Sequence, residues 1–283
     1  MADPKLRLAI EATSLLNAPG VFDLVSAKLA DRAGFPALYV SGYGLVASYL
    51  GLPDVGIATY RDMVERIAQI VAQTSTPVIA DADTGYGGLV NVRHTVRGYE
   101  AAGVSAIQIE DQEFPKACGQ MFTRRVISSD DMVKKIRVAV DSRSSADFLI
   151  IARTDARGSL GLDEALRRAE AYLAAGADML FVESPQSIEE MRSIGRLGAP
   201  TVINMVNNDR TPRLSAEALS ALGFRIAIHP TLGLLAAARA MQRAYADLAQ
   251  NGATSDQIDL YSFADFGQLM GIDEIIDFEN RFS

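Results

Sequence analysis

One cysteine in 283 residues rules out an intramolecular disulfide. Two histidines, His94 and His229, are too few for a histidine-rich zinc centre. The apolar runs are short and interrupted, so none reads as a membrane span. The first residues, Met1-Ala2-Asp3-Pro4-Lys5-Leu6-Arg7, lack the apolar stretch of a secretory signal. Positive charge is also scarce. Lys and Arg number 27 against 35 Asp and Glu, a formal charge of −8, which argues against a nucleic-acid or anionic-membrane surface. It leaves room for an anionic small molecule, because a local pocket can oppose the net sign. A cytoplasmic protein fits these absences.

What is present is a repeat. Short runs rich in Val, Ile and Leu recur at about 16–22, 36–41, 77–81, 105–110, 148–153, 178–183, 200–204 and 225–229. Helix-like stretches separate them, including 59–73, 90–102, 129–142, 162–175, 187–196, 214–222 and 232–250. Continuous apolar runs suit parallel strands buried on both faces. Eight strand–helix units in this length predict one (β/α)8 barrel over residues 1–250. Gly34, Gly103, Gly176 and Gly223 end helices just before strands, and Pro36, Pro77 and Pro200 open strands. Long breaks follow the second and fourth strands, at 42–58 and 111–128. Residues 251–283 carry Phe263, Phe266, Leu269, Ile275, Ile276 and Phe278, which predicts a helical extension packed on its own barrel or on another subunit.

In such a barrel the site lies at the carboxyl ends of the strands. There the sequence places Tyr39, Ser41, Gly42 and Tyr43, then Asp81 and Asp83, Glu110, Arg153, Glu183 and Asn204. Asp81 and Asp83, two residues apart on a strand, point the same way. Asp81 either caps the following helix or joins the other acids around a divalent cation. Arg153 either grips a substrate carboxylate or pairs with one of those acids. The loop after the fourth strand holds Lys116, Cys118, Gly119 and Gln120. A thiol beside a lysine in a polar loop suggests proton transfer, the alternative being an inert cysteine.

Several stretches together resemble the isocitrate lyase/phosphoenolpyruvate mutase superfamily. They are Asp81-Ala82-Asp83-Thr84-Gly85-Tyr86-Gly87, Ile109-Glu110-Asp111-Gln112, Lys116-Ala117-Cys118-Gly119, Ile151-Ala152-Arg153-Thr154-Asp155 and Phe181-Val182-Glu183, with Ser41-Gly42 and Gly51-Leu52-Pro53-Asp54. The resemblance implies a (β/α)8 barrel, Mg²⁺ or Mn²⁺, and a homotetramer with C-terminal helices swapped between barrels. It implies a metal site of Asp83 with Asp54, Asp81 and Glu110 around it. Ser41, Gly42, Tyr43, Arg153, Glu183, Asn204, Gly119 and Gln120 would contact a 2-hydroxy or 2-oxo carboxylate, with Tyr39, Lys116 and Cys118 catalytic. Cys118 is similar to the acid/base cysteine of the lyase branch. Where that branch has histidine after Cys-Gly and before Glu-Asp, this chain has Gln120 and Gln108. Fewer cations imply a smaller substrate than a tricarboxylate. The expectation is a carbon–carbon lyase acting on an alkylmalate-like acid. The alternatives are an oxaloacetate hydrolase or decarboxylase, a phosphonate-forming mutase, and a non-catalytic barrel.

Overall fold

A computed structural model describes residues 3–116, 124–206 and 211–283. The strands are β1 (Leu16–Val21), β2 (Leu38–Val40), β3 (Val78–Asp81), β4 (Ala106–Glu110), β5 (Leu149–Thr154), β6 (Met179–Val182), β7 (Thr201–Asn204) and β8 (Ile226–His229). Each pairs in parallel with the next, and β1 pairs with β8, so the sheet closes into the expected eight-stranded barrel. Around it run α1 (Lys5–Ala12), α2 (Leu24–Arg32), α3 (Gly42–Leu50), α4 (Tyr60–Ala72), α5 (Leu89–Ala101), α6 (Ser129–Ser142), α7 (Arg157–Leu160), α8 (Leu162–Ala174), α9 (Ile188–Gly195) and α10 (Ala216–Leu222).

The strand runs look uniformly apolar, yet their alternation separates two cores. Val40, Val78, Ala80, Ile107, Ile109, Ile150, Ala152, Leu180 and Val182 face outward and pack under the helices. Tyr39, Ile79, Ala106, Leu149, Ile151, Met179, Phe181, Val202, Ile226 and Ile228 fill the barrel. Leu6 and Ile10 of α1 belong to this inner cluster, so α1 closes the amino-terminal end. The carboxyl end is where the inner face turns polar.

One long break is not loop throughout. Residues 42–50 form α3, capped by Ser41, whose Oγ accepts the Gly44 N–H, and ended by left-handed Gly51.

The C-terminal part forms a second compact unit, residues 233–283, distinct from unit 1–232. The expected boundary was 250/251. This unit begins within α11 (Leu232–Asn251), which contributes no buried residue. The unit continues through α12 (Phe263–Leu269) and α13 (Ile272–Phe282). Phe263 is 96% exposed and Phe278 54%.

Candidate active site

Strand alternation carries the inner face upward into a polar ring. Two residues beyond Ile79 lies Asp81, beyond Ala106 lie Gln108 and Glu110, beyond Ile151 lies Arg153, beyond Phe181 lies Glu183, and beyond Val202 lies Asn204. Asp81, Gln108, Glu110 and Glu183 are buried. The loops add Asp54, Asp83 and Lys116, also buried.

The segment 81–87 is shaped to present its acids. Asp83 adopts φ 49° and Tyr86 φ 57°, both in the left-handed region, so the chain turns sharply off β3. The Asp83 N–H donates to Asp81 Oδ1 at 3.0 Å. From outside, Tyr99 Oη donates to the Asp81 carbonyl at 3.3 Å, and Lys135 Nζ donates to the Thr84 carbonyl at 2.8 Å. Gly42 is required on the facing side, because a Cβ there would meet Asp81 Oδ2 at 2.7 Å.

Lys116 reaches into these acids. Its Nζ lies 2.9 Å from Asp54 Oδ2 and also donates to Asp83 Oδ1. Burial opposes its charge, but Asp83, Asp81 and Asp54 hold the ammonium protonated well above its usual range. Burial raises the carboxyls of Asp81 and Asp83, and Lys116 pulls both back. Burial also drives Glu110 up to about 8, with Arg153 opposing and Asp155 adding to the rise.

Among the described residues, no three of these acids converge as ligands of one ion. The metal set expected from the sequence is therefore present as neighbours, not as a formed coordination sphere. Between Asp54 and Asp83 the Lys116 ammonium carries the neutralising charge. The donors still fit Mg²⁺: they are hard, buried oxygens already gathered about a positive charge.

Of the two readings open for Arg153, an internal pair is present. Its Nε and Nη2 bond Asp155 Oδ2 and Oδ1 at 3.0 and 2.9 Å, a two-pronged pair. Glu110 lies 3.4 Å from its Nε and Glu183 3.7 Å from its Nη2. The fork is thus held within the protein. Arg124 joins from the loop, with Nη1 at 2.5 Å from Asp155 and 3.8 Å from Glu183. Burial would raise Asp155, but Arg153 and Arg124 outweigh it and hold its carboxyl below the usual range.

Two further site residues are already engaged within the protein. The Ser41 N–H is taken by the Val21 carbonyl at 3.2 Å, so it is not a free anion donor. Tyr39 does not read as a resting base. Burial pushes its phenol well above its usual value, Asp81 and Glu110 push the same way, and its Oη donates to Gln108 Oε1 at 3.0 Å. Tyr43 is 39% exposed, on the first turn of α3. Asn204 Nδ2 donates to Glu183 at 3.3 Å. Cys118, Gly119 and Gln120 lie outside the described residues.

Asp155 and Arg124 were missed from the sequence as site residues. Asp155 follows Arg153 by two, so alternation alone could have placed both on one face. Arg124 carries no such signal, because it arrives from a loop. Among the described residues, Gln108 Nε2, Arg124 Nε and Asn204 Oδ1 are buried with no hydrogen-bond partner. Such atoms are costly unless something else satisfies them.

Comparison with known proteins agrees with this geometry. The phosphoenolpyruvate phosphomutase family profile matches residues 7–249. A 2,3-dimethylmalate lyase from Eubacterium barkeri is 46% identical over 281 residues, covering 99% of this chain and 97% of the relative. A crystal structure of 2,3-dimethylmalate lyase, described as a PEP mutase/isocitrate lyase superfamily member, superposes with TM-score 0.92 at 37% identity, covering 100% of this chain and 96% of that one. A phosphonopyruvate hydrolase solved with oxalate and Mg²⁺ superposes with TM-score 0.90 at 33% identity, covering 100% and 99%. A barrel closed at one end, a ring of buried charges at the other and matches along nearly the whole chain lead to one conclusion: the chain belongs to the phosphoenolpyruvate phosphomutase family, within the PEP mutase/isocitrate lyase superfamily.

Proposed function

We propose that this chain is a carbon–carbon lyase that splits a 2-hydroxy dicarboxylate of the alkylmalate type into a 2-oxo acid and a second carboxylate. The observation that carries the reading is the polar ring with three unsatisfied atoms, on Gln108, Arg124 and Asn204, at the open end of the barrel. It offers a small polar ligand both donors and an acceptor. The cations that would meet the substrate carboxylates are Arg153 and Arg124, which share Asp155 and stand beside Glu183.

Asp83, with Asp81, Asp54 and Glu110 nearby, would hold Mg²⁺ or Mn²⁺. Bound there, the cation supplies positive charge to the substrate C1 carboxylate and C2 oxygen. Tyr39 Oη, which donates its hydrogen bond to Gln108 Oε1, keeps lone pairs to accept one from the C2 hydroxyl. In its ionised form, a minority near neutrality because burial raises it to about 8, Glu110 would take that proton. As C2 becomes a carbonyl, the C2–C3 pair passes to the leaving fragment as an enediolate. Cys118, by its resemblance to the lyase branch, returns a proton to C3. Lys116 holds the acids Asp54 and Asp83 in place. Arg153, Glu183 and Asn204 orient the carboxylates, with Gly42, Tyr43, Gly119 and Gln120 completing the contacts.

The same reading includes assembly. Exposed apolar residues on the C-terminal unit, Phe263, Ile275 and Phe278 among them, call for a cover. We take that cover to be a second copy, in a homotetramer that exchanges these helices. The chain has no helix long and apolar enough to cross a membrane among the described residues, and we place it in the cytoplasm.

The test is release of 2-oxo acid from 2-methylmalate, 2,3-dimethylmalate and methylisocitrate, with Mg²⁺ and with chelator. Chelator-sensitive pyruvate from one alkylmalate is expected. Oxalate from oxaloacetate, with no pyruvate from any malate, would reassign the activity.

A further inference from the structure

Asp111 follows Glu110 directly and, by strand alternation, faces the helix layer instead of the barrel interior. It is fully buried, and both carboxylate oxygens are engaged. Oδ2 accepts Thr154 Oγ1 at 2.7 Å, Tyr172 Oη at 2.7 Å and Arg168 Nη1 at 3.1 Å. Oδ1 accepts the Asp155 N–H at 2.9 Å. Arg168 and Tyr172 lie four residues apart on α8, hence on one helical face. Arg168 Nη1 also donates to the Ile127 carbonyl at 2.9 Å, and its Nε donates to Glu164 at 2.8 Å.

These bonds converge on two parts of the site. One is Asp155, whose carboxylate holds both Arg153 and Arg124. The other is the base of the loop that leaves at Asp111 and returns at Ile127. There the Ile127 N–H donates to the Asp111 carbonyl, and the Glu113 N–H donates to the Arg125 carbonyl, each at 2.9 Å. Arg168 touches both legs, Asp111 on the outgoing one and Ile127 on the returning one. A buried ion pair of this sort is costly to desolvate, and an apolar cluster would stabilise the packing as well. What the charged cluster adds is fixed geometry.

We propose that Arg168 and Tyr172 are positioning residues: acting through Asp111 from outside the barrel, they set the Asp155–Arg153 pair and the base of the 111–127 loop. Neither touches the inner face. The effect on turnover rests on the lyase reading above, whereas the effect on the loop base does not.

The test uses the full-length protein with Tyr172→Phe, which removes one hydroxyl at nearly constant volume, and Arg168→Met, with Arg168→Lys as the conservative control. Amide exchange is followed at Glu113 and Ile127, with β1 amides, across the barrel, as the internal standard. Exchange at the loop base rises about tenfold or more in Tyr172→Phe and Arg168→Met while β1 stays unchanged. KM for the alkylmalate rises about fivefold or more, with a smaller fall in kcat, and Arg168→Lys recovers part of the loss. If Arg168→Met does not fold, Tyr172→Phe decides alone. Unchanged exchange at Glu113 and Ile127 overturns the proposal, as does unchanged KM beside a lowered Tm. Were the wild type to release no 2-oxo acid, the lyase reading would fall, and the exchange comparison would still decide the loop base.

Discussion

At Glu110 a single carboxyl carries much of the electrostatic character of the site. Its value moves from near 4.5 to about 8, chiefly through burial. Between those values the folded chain binds a proton that the unfolded chain has released. Its contribution to stability therefore falls as pH rises through that window. Glu110→Gln removes this dependence. The variant's Tm relative to wild type, measured without divalent cation, should rise from pH 5 to pH 9. A constant offset would show that Glu110 ionises normally. The same residue scale explains the changed reading of Arg153. From the chain alone, a substrate grip and an internal pair were both open, and the Asp155 carboxylate two residues on decides for the pair.

At the scale of elements, the junction of β2 and α3 shows how backbone space sets a side chain. Asp81 Oδ2 occupies the room that a Cβ on residue 42 would need. Gly42→Ala must push the carboxylate aside by a few tenths of an ångström or shift the start of α3. Activity is expected to fall about tenfold or more, since sub-ångström misplacement at a reacting centre is costly. The Tm should drop by only a few degrees, because the contact is with a side chain end. Full activity in Gly42→Ala would show that Asp81 need not hold this position. The presence and order of all eight strands were readable, because continuous apolar runs alternate with helix-like stretches and glycine stops precede four of the strands. Helix α3 was hidden in a presumed loop: its start is Gly42-Tyr43-Gly44, and glycines lower helix propensity. The Ser41 cap was the available signal.

For the whole molecule, the exposed face of the C-terminal unit is the feature a lone subunit would not keep. Sedimentation of the purified protein should give a mass near four times the 30.4 kDa chain. Phe263→Ser together with Phe278→Ser should lower that mass. A monomer at micromolar concentration would remove the tetramer from the account.

Composition and periodicity by themselves determined the barrel, its strand order and which strand ends carry charge, because alternation is a local property of the chain. They also brought Asp81, Asp83, Glu110, Arg153 and Glu183 to one end. Tertiary structure alone decided who pairs with whom. Lys116 lies 33 residues from Asp83 and Arg168 lies 57 from Asp111. Such partners meet only after the sheet closes, and which carboxylate takes which cation then follows from burial and Coulomb attraction at distances no spacing rule can supply.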